Sequence, residues 1–405
     1  LIEAIKYSKD QHYKKQLYSL LQVTRAINNN FPASDLFSIF EFILKQQLGY
    51  TKFAYCSFDE IWRWQVSYGA TNETRLIKPE IDLLQFEELT FIDENSPENL
   101  RNFNVVIPVY HKKHALAFLL MGDLDELSLE IARTLDLEFV ETISNVISVA
   151  IENKRLFKDN VQQEMYKREM EMAKEVQNML IPSSLPNDEF FDFAAFYQPQ
   201  RHIGGDYYDF ISVNEDEVIF CVADVSGKGV AAALLMANFQ AYLHALVGIT
   251  TDLKKIIQDL NNRVVESAKG EKFITMFIAR YNKISRKLNY VNAGHNPPIL
   301  TSQNESILLK EGTTGLGMLE KLFRLEEGEV EVAKNSRLLC YTDGLVEQEN
   351  EGGVDFGIEQ LELIMHQNKA CNSEDFNRIL LDYLITYKGD QPYIDDIALL
   401  TCRFF

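Results

Sequence analysis

The sequence predicts an α+β protein of two domains joined by a long helix. Three observations carry that expectation. The chain has 405 residues, more than a single hydrophobic core usually serves. Short β-type runs alternate with helical periodicity in both halves of the chain. Between those halves, from about Leu129 to Ile181, there is neither glycine nor proline.

Residues 10–29 read as an amphipathic helix with Leu17, Leu20, Leu21 and Val23 among its apolar positions. In "FPASDLFSIFEFILKQQLGY", Ser34 or Asp35 can cap a helix bearing Leu36, Ile39, Phe40, Ile43 and Leu44. "KFAYCSF", "WRWQVSYG", "NVVIPVYH" and "ALAFLLMGD" follow as strands, which makes residues 10–150 an α+β domain of sensor size. In the glycine-free stretch, apolar residues fall at Ile143, Ile147, Ala150, Phe157, Val161, Met165, Met172, Val176 and Met179. The steps are mostly three and four, the seam of a coiled coil, interrupted at Lys154 and at Arg168 or Glu169. One long helix packed on its own domain is the plainer alternative. A homodimer through residues 140–181 better accounts for a helix too long for one small domain. Residues 151–186 are thus expected to form a helical linker, ended by Pro182 and Pro186.

Residues 187–405 read as the second domain. "FDFAAFYQP", "DYYDFISV" and "EVIFCVADV" are three strands, and "AAALLMANFQAYLHALVG" and "DLKKIIQDLNNRVVESA" are two helices. "FITMFIARYN", "KLNYVNAG" and "RLLCYTDG" return to strands, two more helices follow, and "DDIALLTCRFF" closes as a strand. Strands and helices in separate blocks predict a layered domain built on antiparallel sheets.

Composition narrows the function classes. At 46% hydrophobic and 25% charged residues, the chain is that of a folded protein. A net charge of −20 repels nucleic acid and anionic lipid, so neither is an expected partner. Five scattered cysteines (Cys56, Cys221, Cys340, Cys371, Cys402) without a CxxC point to a reducing, cytoplasmic compartment and away from structural zinc. No apolar run of 18 residues stands out, so no membrane span is expected. The chain begins at Leu1 instead of Met, which leaves room for a signal peptide or a further domain upstream.

Four acidic positions sit where apolar strands run into turns. Asp206 follows Gly204-Gly205, Asp224 ends "IFCVAD", Asp343 ends "RLLCYTD", and Asp395-Asp396 precede "IALLTC". Such ends, brought together, make an oxygen-lined pocket. Two carboxylates about 4 Å apart repel by roughly 1–4 kcal/mol, so a cluster raises its own pKa values or recruits cations. Oxygen-only ligands favour Mg²⁺ or Mn²⁺ over zinc, and His111 and His114 lack the spacing of a zinc motif. Singly, each Asp is also explained as a turn residue that caps backbone N–H groups. The set is what points to metal. "GGD" also occurs in GGDEF-type nucleotide cyclases, but that reading leaves the later Asp motifs unexplained.

"GGDYYDF", "VADVSGKGVAAALLM", "NAGHNPPIL", "YTDGLVE" and "DDIALL", in this order, resemble the SpoIIE/RsbU-type PPM (PP2C-like) serine/threonine phosphatases of bacteria over roughly residues 170–405. "AKEVQNMLIPSSLP" resembles the segment that introduces that catalytic domain. The resemblance implies an αββα sandwich of two antiparallel sheets with two Mn²⁺ or Mg²⁺ ions in a cleft. Asp224 would bridge the ions, Asp206 with the Val225 carbonyl would serve one, and Asp343 and Asp395 the other, with Asp396 the alternative to Asp395. The implied reaction is hydrolysis of phosphoserine or phosphothreonine by a water activated at two metals, without a protein nucleophile. The implied substrate is a small STAS-domain protein.

Ser226 stands where many eukaryotic members carry a histidine, which leaves the general acid unassigned. Arg201 is a phosphate-binding candidate or a solvated surface residue, and His295 is catalytic or stabilises its turn. Lys228-Gly229 open a helix that can support an anion, or simply cap it.

With the entry "LGYTKFAYCSF", the hairpin "VVIPVYHKKHALAFLLMGD" and the closing helix "ISVAIENKRLF", roughly residues 20–150 resemble a GAF sensor domain of unknown ligand. There Cys56, Trp62, Trp64 and Tyr68 are either pocket residues or ordinary sheet packing. A signal at this domain is expected to act through the helix on residues 179–186. The alternative function is a metal-free pseudophosphatase that binds a partner.

Overall fold

The computed structural model describes residues 2–123, 132–302 and 305–405. Contacts divide the chain into two units, residues 1–164 and residues 165–405.

The N-terminal unit opens with α1 (Ile2–Asn28) and α2 (Ala33–Phe42), the latter continued by a π-helical turn at Ile43–Gln47. The hairpin β1 (Lys52–Asp59) and β2 (Ile61–Tyr68) comes next, then a short α3 (Pro79–Asp82) and β3 (Thr90–Phe91), then the hairpin β4 (Val105–His111) and β5 (His114–Gly122). They form one antiparallel sheet in the order β2-β1-β5-β4-β3.

Alternation along the strands gives that sheet two apolar faces. Phe53, Tyr55, Ile107 and Leu119 pack with Leu36 and Phe40 of α2. Ala54, Cys56, Val106, Phe118 and Leu120 pack under Leu83, Leu100 and Phe103. Cys56 is core, and Trp62 lies 5.3 Å from Phe118 on this second face, so both are packing residues. The first helix starts at Ile2, well ahead of the expected residue 10, and β3 is too short to leave a periodic signal.

Helix α4 (Ala132–Asn178) is continuous over 47 residues, about 70 Å at 1.5 Å per residue. The expected onset near Leu129 lies outside the described residues. Val140, Ile143 and Ile147 are buried in the N-terminal unit. Phe157, Val161, Met165, Met172 and Val176, further along the same seam, are exposed. The helix ends at Asn178, four residues before Pro182.

The C-terminal unit runs β6 (Phe191–Gln198), β7 (Tyr207–Ser212), β8 (Glu217–Val225), α5 (Val230–Val247), α6 (Leu253–Ala268), β9 (Ile274–Asn282) and β10 (Lys287–Ala293). Four short strands follow: β11 (Ile299–Thr301), β12 (Ser306–Leu308), β13 (Gly312–Thr313) and β14 (Gly328–Glu331). The chain then forms β15 (Arg337–Tyr341), α7 (Asp343–Val346), α8 (Ile358–Gln367), α9 (Ser373–Lys388) and β16 (Ile397–Phe404).

One sheet has the order β13-β10-β9-β8-β7 with β14 beside β10, and the other β12-β11-β15-β16-β6. Phe193 of β6 lies 5.0 Å from Phe210 and 5.2 Å from Phe220, and Tyr281 lies 4.7 Å from Phe404, so aromatic rings fill the space between the sheets. Helices α5 and α6 cover the first sheet and α8 and α9 the second, which makes four layers. The pair β10–β13 is parallel, as is the isolated bridge between Met276 and Gly294, against the antiparallel expectation. Helix α5 corrects another: Val230–Val247 is long and apolar enough, by length and composition, to cross a bilayer. In this structure Ala232, Met236, Phe239 and Leu243 turn one of its sides into the core of the sandwich.

Phe193→Ala should lower the stability of the C-terminal unit by about 3–5 kcal/mol, because it removes a ring that packs on both sheets. Urea unfolding followed by near-UV circular dichroism measures this. An unchanged midpoint would mean that the seam between the sheets is not what holds them together.

Candidate metal centre

Strand register assembles the acidic residues in two pairs. In the β7–β8 pair Tyr207 faces Ala223, which sets Asp206 beside Asp224. In the β15–β16 pair Tyr341 faces Leu399, so the end of β15 carrying Asp343 meets the start of β16 carrying Asp395 and Asp396. The two pairs belong to different sheets and meet at one end of the sandwich. Thr342 Oγ donates to Asp206 at 2.7 Å and accepts from Ala398 N at 2.9 Å, tying the pairs together. Asp224, Asp343 and Asp395 line one cleft of about 320 Å³, with Val225 and Lys228 in its wall.

The adjacent Asp395 and Asp396 do different things. Asp396 is buried and accepts from Gln200 N at 2.7 Å and from Gly205 N at 2.8 Å, so its oxygens brace the loop before β7. Asp395 faces the cleft and pairs with Lys228 at 3.0 Å. The same loop explains its glycines. A Cβ at Gly204 would collide with the Asp396 carboxylate, and one at Gly205 would stand 2.7 Å from the Val225 carbonyl oxygen. Only glycine allows the backbone to pass this close to both groups.

Burial first, and like charge second, makes the cluster basic. Asp206 is raised well above the usual carboxylate range by burial, then by Asp224 and Asp396. Asp224 is pushed up to about 7 by burial, then by Asp343, and a hydrogen bond from Asp206 opposes the rise. Burial raises Asp343 also, with Asp395 adding to it. Lys228, which also donates to Ile394 O at 2.6 Å, is the cation paired with the cluster.

The donor set is hard oxygen only, and its negative charge exceeds what one lysine balances. That fits Mg²⁺ or Mn²⁺ held by Asp206, Asp224, the Val225 carbonyl, Asp343 and Asp395. Among the described residues, no three His, Cys, Asp or Glu side chains are drawn closely enough together to close a metal site by themselves.

Other predicted residues are placed less centrally. Arg201 is exposed and is not among the residues that line the cleft. Ser226 Oγ accepts from Phe273 N at 2.9 Å, which makes it a turn residue. His295 lines the cleft but is buried, with Nδ1 2.9 Å from Thr275 Oγ, and burial lowers its pKa to about 4.

Two contributors were not singled out from sequence. Glu347, in the quoted "YTDGLVE", also lines the cleft. Gln177, in the last turn of α4, is buried against the loop before Asp206. Its amide donates to Gly204 O at 2.7 Å and accepts from Gly204 N at 3.3 Å. Its signal in the sequence was only a glutamine among the apolar positions of "AKEVQNMLIPSSLP".

Residues 214–405 match the family model described as Stage II sporulation protein E (SpoIIE). The chain is 27% identical over 244 residues to phosphoserine phosphatase RsbU of Bacillus subtilis (strain 168), an alignment covering 60% of this chain and 72% of that protein. It is 25% identical over 187 residues to phosphoserine phosphatase RsbP of the same strain, covering 45% of this chain and 46% of that protein. Among solved structures it is similar to the SiaA-PP2C domain of Pseudomonas aeruginosa, with a TM-score of 0.55, 20% identity, and coverage of 60% of this chain and 99% of that one. The last likeness shows a PP2C-type fold, and the two named relatives support a serine phosphatase. Asp206 and Gln177 lie ahead of the segment that matches the family model.

The raised pKa of Asp224 sets a pH dependence for the metal-free protein. Folded, this group binds its proton up to about pH 7, whereas an unfolded Asp releases it near 4. The folded state therefore holds more protons between those values, and stability is lost as pH rises through that window. In EDTA, urea midpoints should fall from pH 4.5 to pH 7.5, and Asp224→Asn should flatten the fall. A steeper fall in the variant would show that the cluster is not self-repelling.

Proposed function

We propose that the C-terminal unit is a Mn²⁺- or Mg²⁺-dependent protein serine/threonine phosphatase, acting on a phosphorylated partner protein of the STAS-domain class. The observation that carries this reading is the meeting of Asp206, Asp224, Asp343 and Asp395 at one end of a PP2C-type sandwich. When bound there, two divalent cations supply neutralisation of phosphoryl oxygens and a water acidic enough to attack phosphorus near neutral pH.

The chain's own groups prepare the site. Thr342 fixes the Asp206 carboxylate, and Asp396 holds the loop that carries it. Lys228 offers a positive charge at the cleft wall, where a phosphate ester would meet it. Ser226 is engaged with backbone, so it is not a nucleophile in this arrangement. His295 is neutral at pH 7, because burial disfavours its protonated form, so it does not donate a proton there. Chemistry by water, not by a side-chain nucleophile, is what these residues leave.

The N-terminal unit is read as a GAF-type sensor acting through α4. Support comes from Gln177, which joins that helix to the backbone beside Asp206. The exposed apolar residues Phe157, Val161, Met165, Met172 and Val176, mostly three or four apart, support a homodimer along α4. Five free cysteines, four of them buried, fit a cytoplasmic protein.

Release of phosphate from a phosphoserine protein or from p-nitrophenyl phosphate, measured across a Mn²⁺ titration, tests the reading. Metal-dependent turnover should fall at least about 10³-fold in Asp224→Asn. Turnover absent at all metal concentrations, from both the full chain and residues 165–405, would overturn it. Gln177→Ala should lower kcat about 10–100-fold, as loss of support behind a metal ligand does elsewhere, with little change in thermal midpoint. Equal kcat would detach α4 from the active site.

A further inference from the structure

In the N-terminal unit a cavity of about 320 Å³, within the range of small-molecule sites, lies between the sheet and the helices α2 and α4. It sits on the helix-facing side of β1. The opposite face of the sheet is filled by its own apolar cluster.

The floor of the cavity is apolar: Phe37 of α2, Tyr55 of β1, Leu116 of β5 and Ile151 of α4. The Phe37 and Tyr55 rings meet at 5.6 Å, tilted by 49°. The Tyr55 hydroxyl lies 2.5 Å from Ser148 Oγ, which holds the ring in place and keeps it from swinging into the space.

The rim carries charge of both signs. Asp59 and Arg63 come from the β1–β2 hairpin, and Glu152 and Arg155 from α4. Arg155 Nη2 pairs with Glu152 at 2.8 Å, and its Nη1 lies 3.9 Å from Asp59. At 3.9 Å the approach to Asp59 is too long for a hydrogen bond, so Arg155 Nη1 has no hydrogen-bond acceptor among the described residues. A half-exposed guanidinium N–H at a cavity wall is free to bind a ligand carboxylate.

Two positive and two negative rim groups leave the cavity with no net charge of its own. A ligand with net negative charge would also approach against the chain's overall −20. A neutral apolar ligand would leave Arg155 Nη1 without an acceptor. We infer that this cavity binds a small zwitterion with an apolar body, an α-amino acid with an aliphatic or aromatic side chain. Its body rests on Phe37, Tyr55, Leu116 and Ile151. Its carboxylate meets Arg155, with Arg63 beside it, and its ammonium group meets Asp59 and Glu152.

The inference concerns binding within residues 33–155 and does not depend on the phosphatase reading. Isothermal titration of the full chain with L-phenylalanine and with L-leucine tests it without any turnover readout. At least one should bind saturably, one per chain. L-phenylalaninamide, which lacks the carboxylate, and N-acetyl-L-phenylalanine, which lacks the ammonium, should each bind at least tenfold more weakly than L-phenylalanine or L-leucine, whichever is tighter.

Arg155→Gln should erase the preference for the acid over the amide. Asp59→Asn, at a rim position whose side chain is 62% exposed, should erase the preference over the acetylated form. No saturable heat with either amino acid up to about 10 mM overturns the inference. So does equal binding of all the probes, or tighter binding of the acetylated anion.

Discussion

The burial of carboxylates beside one another is the constraint on which the C-terminal unit is arranged. Asp206, Asp224, Asp343, Asp395 and Asp396 are gathered at one end of a sandwich whose interior is otherwise apolar and aromatic. Charges of one sign, partly withdrawn from water, would push that end apart unless something held it. Much of the local structure does that holding. Two sheets supply rigid strand ends, Thr342 bridges from one to the other, and Asp396 spends its charge on backbone N–H groups. Lys228 adds the cation. The protein thus holds an unfavourable arrangement of residues that would otherwise avoid one another, one that a hard divalent cation would relieve.

The acidic set was legible in the sequence because each Asp borders an apolar run, Asp224 and Asp343 at its end and Asp206, Asp395 and Asp396 at its start, and the edge of an apolar run at a turn marks a strand end whichever sheet it joins. The residues alone do not separate Asp395 from Asp396; only the motif resemblance favours Asp395. Both precede β16, and it is the hydrogen bonds from Gln200 N and Gly205 N that hold Asp396 in the loop while Asp395 faces the cleft. Gln177 was hidden for a different reason. A glutamine in a helix is ordinary on a solvated surface, and its burial depends on a loop 27 residues away in the chain. The two- to four-residue strands β3, β11, β12, β13 and β14 carry too little periodicity to be seen. The helix α5 was misjudged as insufficiently apolar, since Asn238, Gln240 and His244 interrupt it without making it polar overall.

In the N-terminal unit the pattern of alternation was a good guide to the sheet and a poor one to its uses. Cys56 and Trp62, which chemistry would single out, are packing residues. The polar groups that converge on a cavity are a hairpin Asp and Arg and a helical Glu and Arg, all unremarkable as sequence. They become notable only when β1, β2 and α4 bring them to one rim. Helix α4 therefore carries two kinds of polar residue along its length, Arg155 and Glu152 at a cavity wall and Gln177 at the loop before Asp206.

The pairing of β6 with β16 has a consequence for how the protein is made. Phe191 faces Phe404 and Gln198 faces Ile397, so the first strand of the C-terminal unit waits for a partner some two hundred residues later. On the ribosome the N-terminal unit and the β7–β10 meander can form while that partner is still unsynthesised. Until β16 emerges, the nascent chain has neither Asp395 nor Asp396, and the loop before Asp206 has no brace. Pairings so distant in the chain form late and slowly. The acidic cleft is consequently incomplete until β16 has been made, and a chain that stops short of that strand lacks both Asp395 and Asp396.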